Sequence, residues 1–382
     1  SGTVDLADGS HTITARQTEA GGIESLDSAA LTIQIDTAPP VIVSTTPTLD
    51  QGPIGPISSI DVTFSEPIDL ASFGPEDVRV VGGDDGITEL SRYGGVYEAC
   101  VVVGDRLYAA TTNGLAIFDV SVSASPTLLG SYNTLENALD VAVAGSLAYV
   151  ACGYGGLEIL DVSDPAAVVR LGAYAYDGNA RGVEVAGNHA YVTGSAGLKI
   201  LDVTVPGSVV LLGSYWAGYD QALEVVGSVV YVLDSSSLDP FDPFGSRILR
   251  ILDVSAPAAV TLLGQYDVLG AQGLDVVGSR AYVTYTAVGL PMGGGLLILD
   301  VSDPAAITSL GGYQSGYSDD VEVVGSLAYV VKGDSIEILD VSDPHAVVRR
   351  GAYDTHSSIT QLRVVGGLGY VVDYSYGFQI YD

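Results

Sequence analysis

Aromatic and acidic side chains hold most of the chemistry that this 382-residue chain offers. Eight of its 23 tyrosines follow no recurring pattern: Tyr97, Tyr154, Tyr176, Tyr219, Tyr285, Tyr317, Tyr374 and Tyr376. The single tryptophan, Trp216, lies among them, with Phe241 and Phe244. Asp177, Asp220, Asp267, Asp319, Asp320 and Asp354 stand close by in the sequence. Flat rings beside carboxylates suit stacking on sugar rings with hydrogen bonds to hydroxyls, or anchoring of a protein partner. A second set comprises Glu184, Glu224, Asp275 and Glu322, each three residues before a glycine. Arg363 takes the same place in its own segment, and Asp140 and Asp320 lie two positions further up.

Catalytic signatures are sparse. The four histidines, His11, His189, His345 and His356, show no zinc spacing with the two cysteines. No glycine-rich loop precedes a helix, because no helical periodicity is evident. A pair of aspartates for glycoside hydrolysis or lyase chemistry stays open among so many acids. Fourteen Lys and Arg against 46 Asp and Glu give a net charge of −32, which repels nucleic acid and anionic membrane surfaces. No apolar run reaches the roughly 18 residues that insertion in a bilayer requires. Cys100 and Cys152 are too few to define a disulfide framework, and whether they pair is open. The only methionine is Met292, so the chain reads as a trimmed piece of a longer multidomain protein. Its acidic, lysine-poor composition points to an extracellular or cell-surface setting.

The elements that must position these residues come from a repeat. Leu157–Pro165 (LEILDVSDP) returns at Leu198–Pro206, Leu249–Pro257, Leu296–Pro304 and Ile336–Pro344, with shorter copies at Ala116–Val120 and Phe378–Asp382. The seven aspartates, at 119, 161, 202, 253, 300, 340 and 382, are spaced by 42, 41, 51, 47, 40 and 42 residues. Such a period marks one supersecondary unit used many times. Each period holds a strand ending in Val-x-Gly, an Ala-Tyr-Val strand, the Ile-Leu-Asp-Val strand and a Leu-Gly-x-Tyr strand. Four short strands with glycine or proline at each reversal describe a propeller blade. Fourteen tyrosines recur in the second and fourth strands and are read as packing between blades, while Tyr381 replaces a core leucine.

The pattern over residues 87–382 resembles the LVIVD-repeat propeller family. That resemblance implies an all-β, seven-bladed β-propeller of four-stranded antiparallel blades. The last period lacks its Leu-Gly-x-Tyr strand, and Glu89–Tyr93 is an orphan copy of it. Residues 87–93 are therefore expected to complete the seventh blade and remove exposed sheet edges. Ahead of it, residues 1–38 (DGSHTITARQTEAGG…LTIQIDTAPP) resemble the end of a bacterial immunoglobulin-like module of surface adhesins. Residues 39–86 resemble the start of a second, through Ile60–Asp69 and Glu76–Val80. Each is too short for a whole sandwich of about 100 residues, so the region is a partial or composite Ig-like β-sandwich.

In a propeller the first strand of each blade lines the axis. Loops joining second to third strands, and loops joining blades, share one face, here named the top. All eight patternless tyrosines and Trp216 fall in or beside top loops, as do the insertions at 234–247 and 284–295. The expected ligand-binding face is Trp216, Tyr154, Tyr176, Tyr219, Tyr285, Tyr317, Tyr374 and Tyr376 with Asp177, Asp220, Asp319 and Asp320. The axial acids Glu184, Glu224, Asp275 and Glu322 are either joint ligands of a cation or solvated groups in a water-filled channel. No motif in the sequence identifies a cofactor, and Ca²⁺ is the candidate ion. The Ser-Asp-Pro turns, by contrast, are ordinary turn chemistry. The leading reading is a non-enzymatic binding or adhesion module for a glycan or surface protein. A carbohydrate-active enzyme and a purely structural repeat are the alternatives.

Overall fold

A computed structural model of the protein describes residues 10–13, 31–34, 42–46, 61–64, 87 and 89–382. Residues 217–218, 236–245, 288–292, 356–357 and 374–376 lie outside that description. The chain divides into two compact units, Ser1–Gly83 and Asp84–Asp382. In the first, Ser10–Ile13 pairs antiparallel with Leu31–Gln34, and Ile42–Thr46 with Asp61–Phe64. Among the described residues these are two separate two-stranded sheets, and no Ig-like sandwich is assembled from them.

The second unit is an all-β propeller of seven four-stranded antiparallel sheets. Blades 1 to 6 cover residues 97–133, 140–174, 180–215, 219–269, 271–314 and 320–354. Blade 7 joins Ile359–Val365, Leu368–Asp373 and Gly377–Tyr381 to Glu89–Tyr93, the orphan strand, through Phe378↔Tyr93 and Gln379↔Arg92. Among the described residues there is no helix long and apolar enough to cross a membrane.

Alternation along each strand gives every blade two apolar faces, and each face meets a different neighbour. The core is consequently not central. It is divided among the seven junctions between adjacent blades, each with its own hydrophobic cluster. The recurring second-strand tyrosines Tyr108, Tyr149, Tyr191, Tyr231, Tyr282 and Tyr370 are buried in these clusters. At the closing junction Tyr93, Tyr97, Phe118 and Phe378 form a mutual ring cluster with centroids 4.7–6.2 Å apart. Cys100 belongs to the junction of blades 7 and 1 and Cys152 to that of blades 1 and 2. Both are free, buried thiols, so they do not pair.

The turns at the bottom are built as the sequence suggests. Asp119, Asp161, Asp202, Asp253, Asp300 and Asp340 each accept the backbone N–H two residues on. The hydroxyl of that Ser or Thr bonds the same carboxylate, which holds all six below the usual aspartate range. The prolines that follow make the closest approach between blades. A β-carbon on Gly130, Gly172, Gly213 or Gly264 would stand 1.7–1.8 Å from the carbonyl oxygen of Pro165, Pro206, Pro257 or Pro304 in the next blade. Glycine is thus required in the Leu-Gly-x-Tyr strand because the neighbouring turn occupies the space of a side chain. At the seam Ser91 replaces this glycine and donates its hydroxyl to the Ser123 carbonyl.

Gly213→Ala is expected to push blades 3 and 4 apart and to cost at least about 1–3 kcal/mol of stability, the usual price of overpacking. Chemical denaturation of the parent and variant checks this.

Candidate axial and top-face site

Each blade turns its innermost strand towards the axis, where no further strand can pair with it. The N–H groups on that side need other acceptors. The axial side chains supply them, at two levels. In the upper level the Asp140 carboxylate accepts Val183 N–H at 2.9 Å, Asp320 accepts Leu362 N–H at 3.3 Å and the Gln361 amide oxygen accepts Cys100 N–H at 2.6 Å. In the lower level Glu184 accepts Val225 N–H at 2.9 Å and Asp275 accepts Val323 N–H at 2.6 Å. Glu322 accepts Val364 N–H in the same manner. Every one of these bonds runs from one blade to the next. Arg363 lies across from them, 3.3 Å from Glu322, and donates to the Leu362 carbonyl at 3.0 Å.

These groups line a cavity of about 700 Å³ along the axis. Glu98, Arg181, Gln272 and Asp319, where inner strands begin, line its top end. Removal from solvent pushes Asp140 up to about 6 and Glu322 up to about 7, and raises Asp275 and Asp320. Burial, and then the charge of Glu224, raises Glu184. Burial, and then the charge of Asp275, raises Glu224, and the two glutamates are hydrogen-bonded to one another. Despite burial, which opposes its charge, Arg363 is held firmly protonated by Glu322 and Asp320. Three of the four acids read as either cation ligands or solvated groups, Glu184, Asp275 and Glu322, direct carboxylate oxygens to backbone amides. Among the described residues no group of three or more His, Cys, Asp or Glu is arranged to hold a metal ion.

The top-face residues separate into several environments. Tyr154, Trp216 and Tyr317 are 78%, 62% and 55% exposed, and among the described residues they are the exposed large aromatics. Tyr154 sits on the tight turn after the second strand of blade 2, where Gly153 and Ala180 exchange backbone hydrogen bonds. The Tyr317 hydroxyl is bonded to Asp319, which also accepts Gly333 N–H at 3.0 Å. Tyr176 is only 5% exposed. Its hydroxyl donates to the Gly197 carbonyl and accepts from Ala196 N–H, so it ties two loops together. Tyr285 is half-buried against the cluster between blades 4 and 5, Asp177 is exposed, and Asp320 belongs to the axial ring. Tyr374 and Tyr376, and the side chains of Tyr219 and Asp220, lie outside the described residues.

The bonds that link one blade to the next were missed in the sequence. The spacing of Asp140, Glu184, Asp275 and Glu322 showed that they share the axis, whereas their partners are backbone groups, which carry no residue signature.

Seven four-stranded blades, closed by a strand from before the first blade and enclosing an acidic axial cavity, define a β-propeller. LVIVD repeats match residues 94–134, 137–176, 177–216, 245–268, 271–314 and 315–355, and the chain belongs to that family. The matched segments follow the blades; the first half of blade 4 and the composite blade 7 are left out. No curated protein matches the chain. Among solved structures, the β-propeller domain of Cps50 (Swd1) from Myceliophteria thermophila is similar. Its TM-score is 0.58 at 12% identity, over 78% of this chain and 99% of that one. The computationally designed Ika8 protein is similar as well, with TM-score 0.54 at 11% identity, over 77% of this chain and 98% of that one. At these identities the likeness is one of fold.

Asp140→Ala is expected to leave Val183 N–H without its acceptor and to cost about 1–3 kcal/mol, whereas Asp140→Asn, which keeps a carbonyl oxygen, costs less. Comparing the urea midpoints of the two variants with the parent checks the bond.

Proposed function

We propose that the propeller is a non-enzymatic binding module of an extracellular or cell-surface protein, with its ligand on the top face. One observation carries this reading: Tyr154, Trp216 and Tyr317 are exposed on the face where the axial cavity's acidic upper end lies. The tyrosines of the repeat are buried or half-buried in the blade junctions, so exposure of these three rings is a departure from the molecule's own rule. Exposed rings supply stacking surface at a small cost in side-chain entropy, and carboxylates beside them accept hydrogen bonds from hydroxyls. A glycan chain or a protein loop rich in hydroxyl groups fits that chemistry, and the net charge of −32 disfavours polyanions. The N-terminal antiparallel pairs are read as parts of Ig-like spacers.

A screen of immobilised glycans and surface proteins, run with and without Ca²⁺, tests this function. Ligand addition is expected to change Trp216 fluorescence. Trp216→Ala and Tyr154→Ala should each weaken binding about 2- to 12-fold, as loss of an aromatic contact of about 0.5–1.5 kcal/mol predicts. Unaltered binding by both variants overturns the assignment to this face.

A further inference from the structure

We propose that closure of the propeller is linked to protons held by the axial carboxylate ring, so that the circle of blades is tightest in mildly acidic solution and loosens as the ring deprotonates. Six carboxylates, Asp140, Glu184, Glu224, Asp275, Asp320 and Glu322, line one cavity with Arg363 as the base among them. Five of the six are fixed there by N–H groups of the following blade, so they do not swing out to solvent to relieve their repulsion. Glu184 and Glu224 stand within side-chain hydrogen-bond reach of one another, an arrangement that favours a proton on one of the two.

The surroundings of that pair are mostly of like charge. Asp140 faces it from blade 2, Asp275 from blade 5, and Asp320, Glu322 and Arg363 from blades 6 and 7. Glu98, Arg181 and Asp319 line the top end of the cavity. Behind the ring the Cys100 thiol is buried and pushed up to about 12, so it stays neutral. Two arginines, Arg363 within the ring and Arg181 at the top end, cannot balance six ionised acids. Protons do the rest.

The direction of the pH effect follows by linkage. In the unfolded chain these carboxyls ionise near their ordinary values, 3.8 for Asp and 4.5 for Glu. In the folded ring they retain protons to higher pH, about 6 at Asp140, about 7 at Glu322 and higher than usual at the Glu184–Glu224 pair. Between those limits the folded state binds more protons, so stability falls as pH rises and levels off once the ring is fully ionised. The turn aspartates act oppositely. Their folded values are depressed, so their contribution is lost only as pH falls below the ordinary aspartate range.

Thermal unfolding of the full chain, followed by circular dichroism from about pH 5 to about pH 9, tests the linkage. The Tm of the parent is expected to fall across that range. Glu184→Gln and Glu224→Gln remove a titrating group, and at position 184 the amide keeps an oxygen for Val225 N–H. Both should flatten the fall and raise Tm at the alkaline end. A readout without variants is the proton count: unfolding the parent in urea at about pH 7 should release protons to a weakly buffered solution. Tm curves of parent and variants that run parallel, a Tm that rises with pH, or proton uptake on unfolding would each overturn the proposal.

Discussion

A strand at the edge of a sheet leaves half of its backbone polar groups without partners, and a propeller turns seven such edges inwards on one another. The architecture depends on how that problem is met. Here the answer is a set of short acidic side chains, each taking an N–H group of the blade that follows. The bond serves two ends together: it satisfies a donor that no strand can reach, and it fixes the spacing between blades. The outer junctions are fixed by contact instead, with a proline carbonyl of one blade seated where the glycine of the previous blade has no side chain. Hydrophobic clusters fill the wedge between these two lines of attachment.

Blade 7 shows the same requirements met with different residues. It is the blade in which Glu89–Tyr93 joins Gly377–Tyr381, so both of its junctions close the circle. At its inner strand the acids of the axial levels are replaced by Gln361 and Arg363, the first reaching forward to Cys100 and the second back to Glu322. At its outer strand the glycine becomes Ser91, which converts a steric contact into a hydrogen bond with Ser123. The aromatic cluster of Tyr93, Tyr97, Phe118 and Phe378 sits at this junction too.

Much of this was legible beforehand because repetition multiplies weak signals. A single Ile-Leu-Asp-Val strand means little, whereas seven at intervals near 40 residues fix strand order, blade number and the strand that completes the last blade. Subtracting the repeat also isolated Tyr154, Trp216 and Tyr317. It did not separate them from Tyr176, which has the same placement in a loop and is buried. Its fate was decided by the Gly197 carbonyl, a backbone group from a different loop. The axial acids were placed on the right strand and at the right level. Their partners are main-chain amides of the following blade, which no pattern of residue types records. The N-terminal segments lacked any internal repetition, and likeness to Ig-like modules was the only guide to them.

The acidic links have a sense of direction. Asp140, Glu184, Asp275, Asp320 and Glu322 all reach forward along the chain order, as Gln361 does across the seam. The five junctions so linked, 2 to 3, 3 to 4, 5 to 6, 6 to 7 and 7 to 1, are therefore head-to-tail, with the acceptor side chain on one blade and the donor amide on the next. Interfaces of that kind set no limit of their own on how many units follow one another; they form rings only if the turn per unit completes a circle. A blade of this design is an interchangeable part. At a junction linked in this way the acceptor meets a main-chain N–H, a group that every residue but proline offers, so the link does not depend on which side chains the following blade carries.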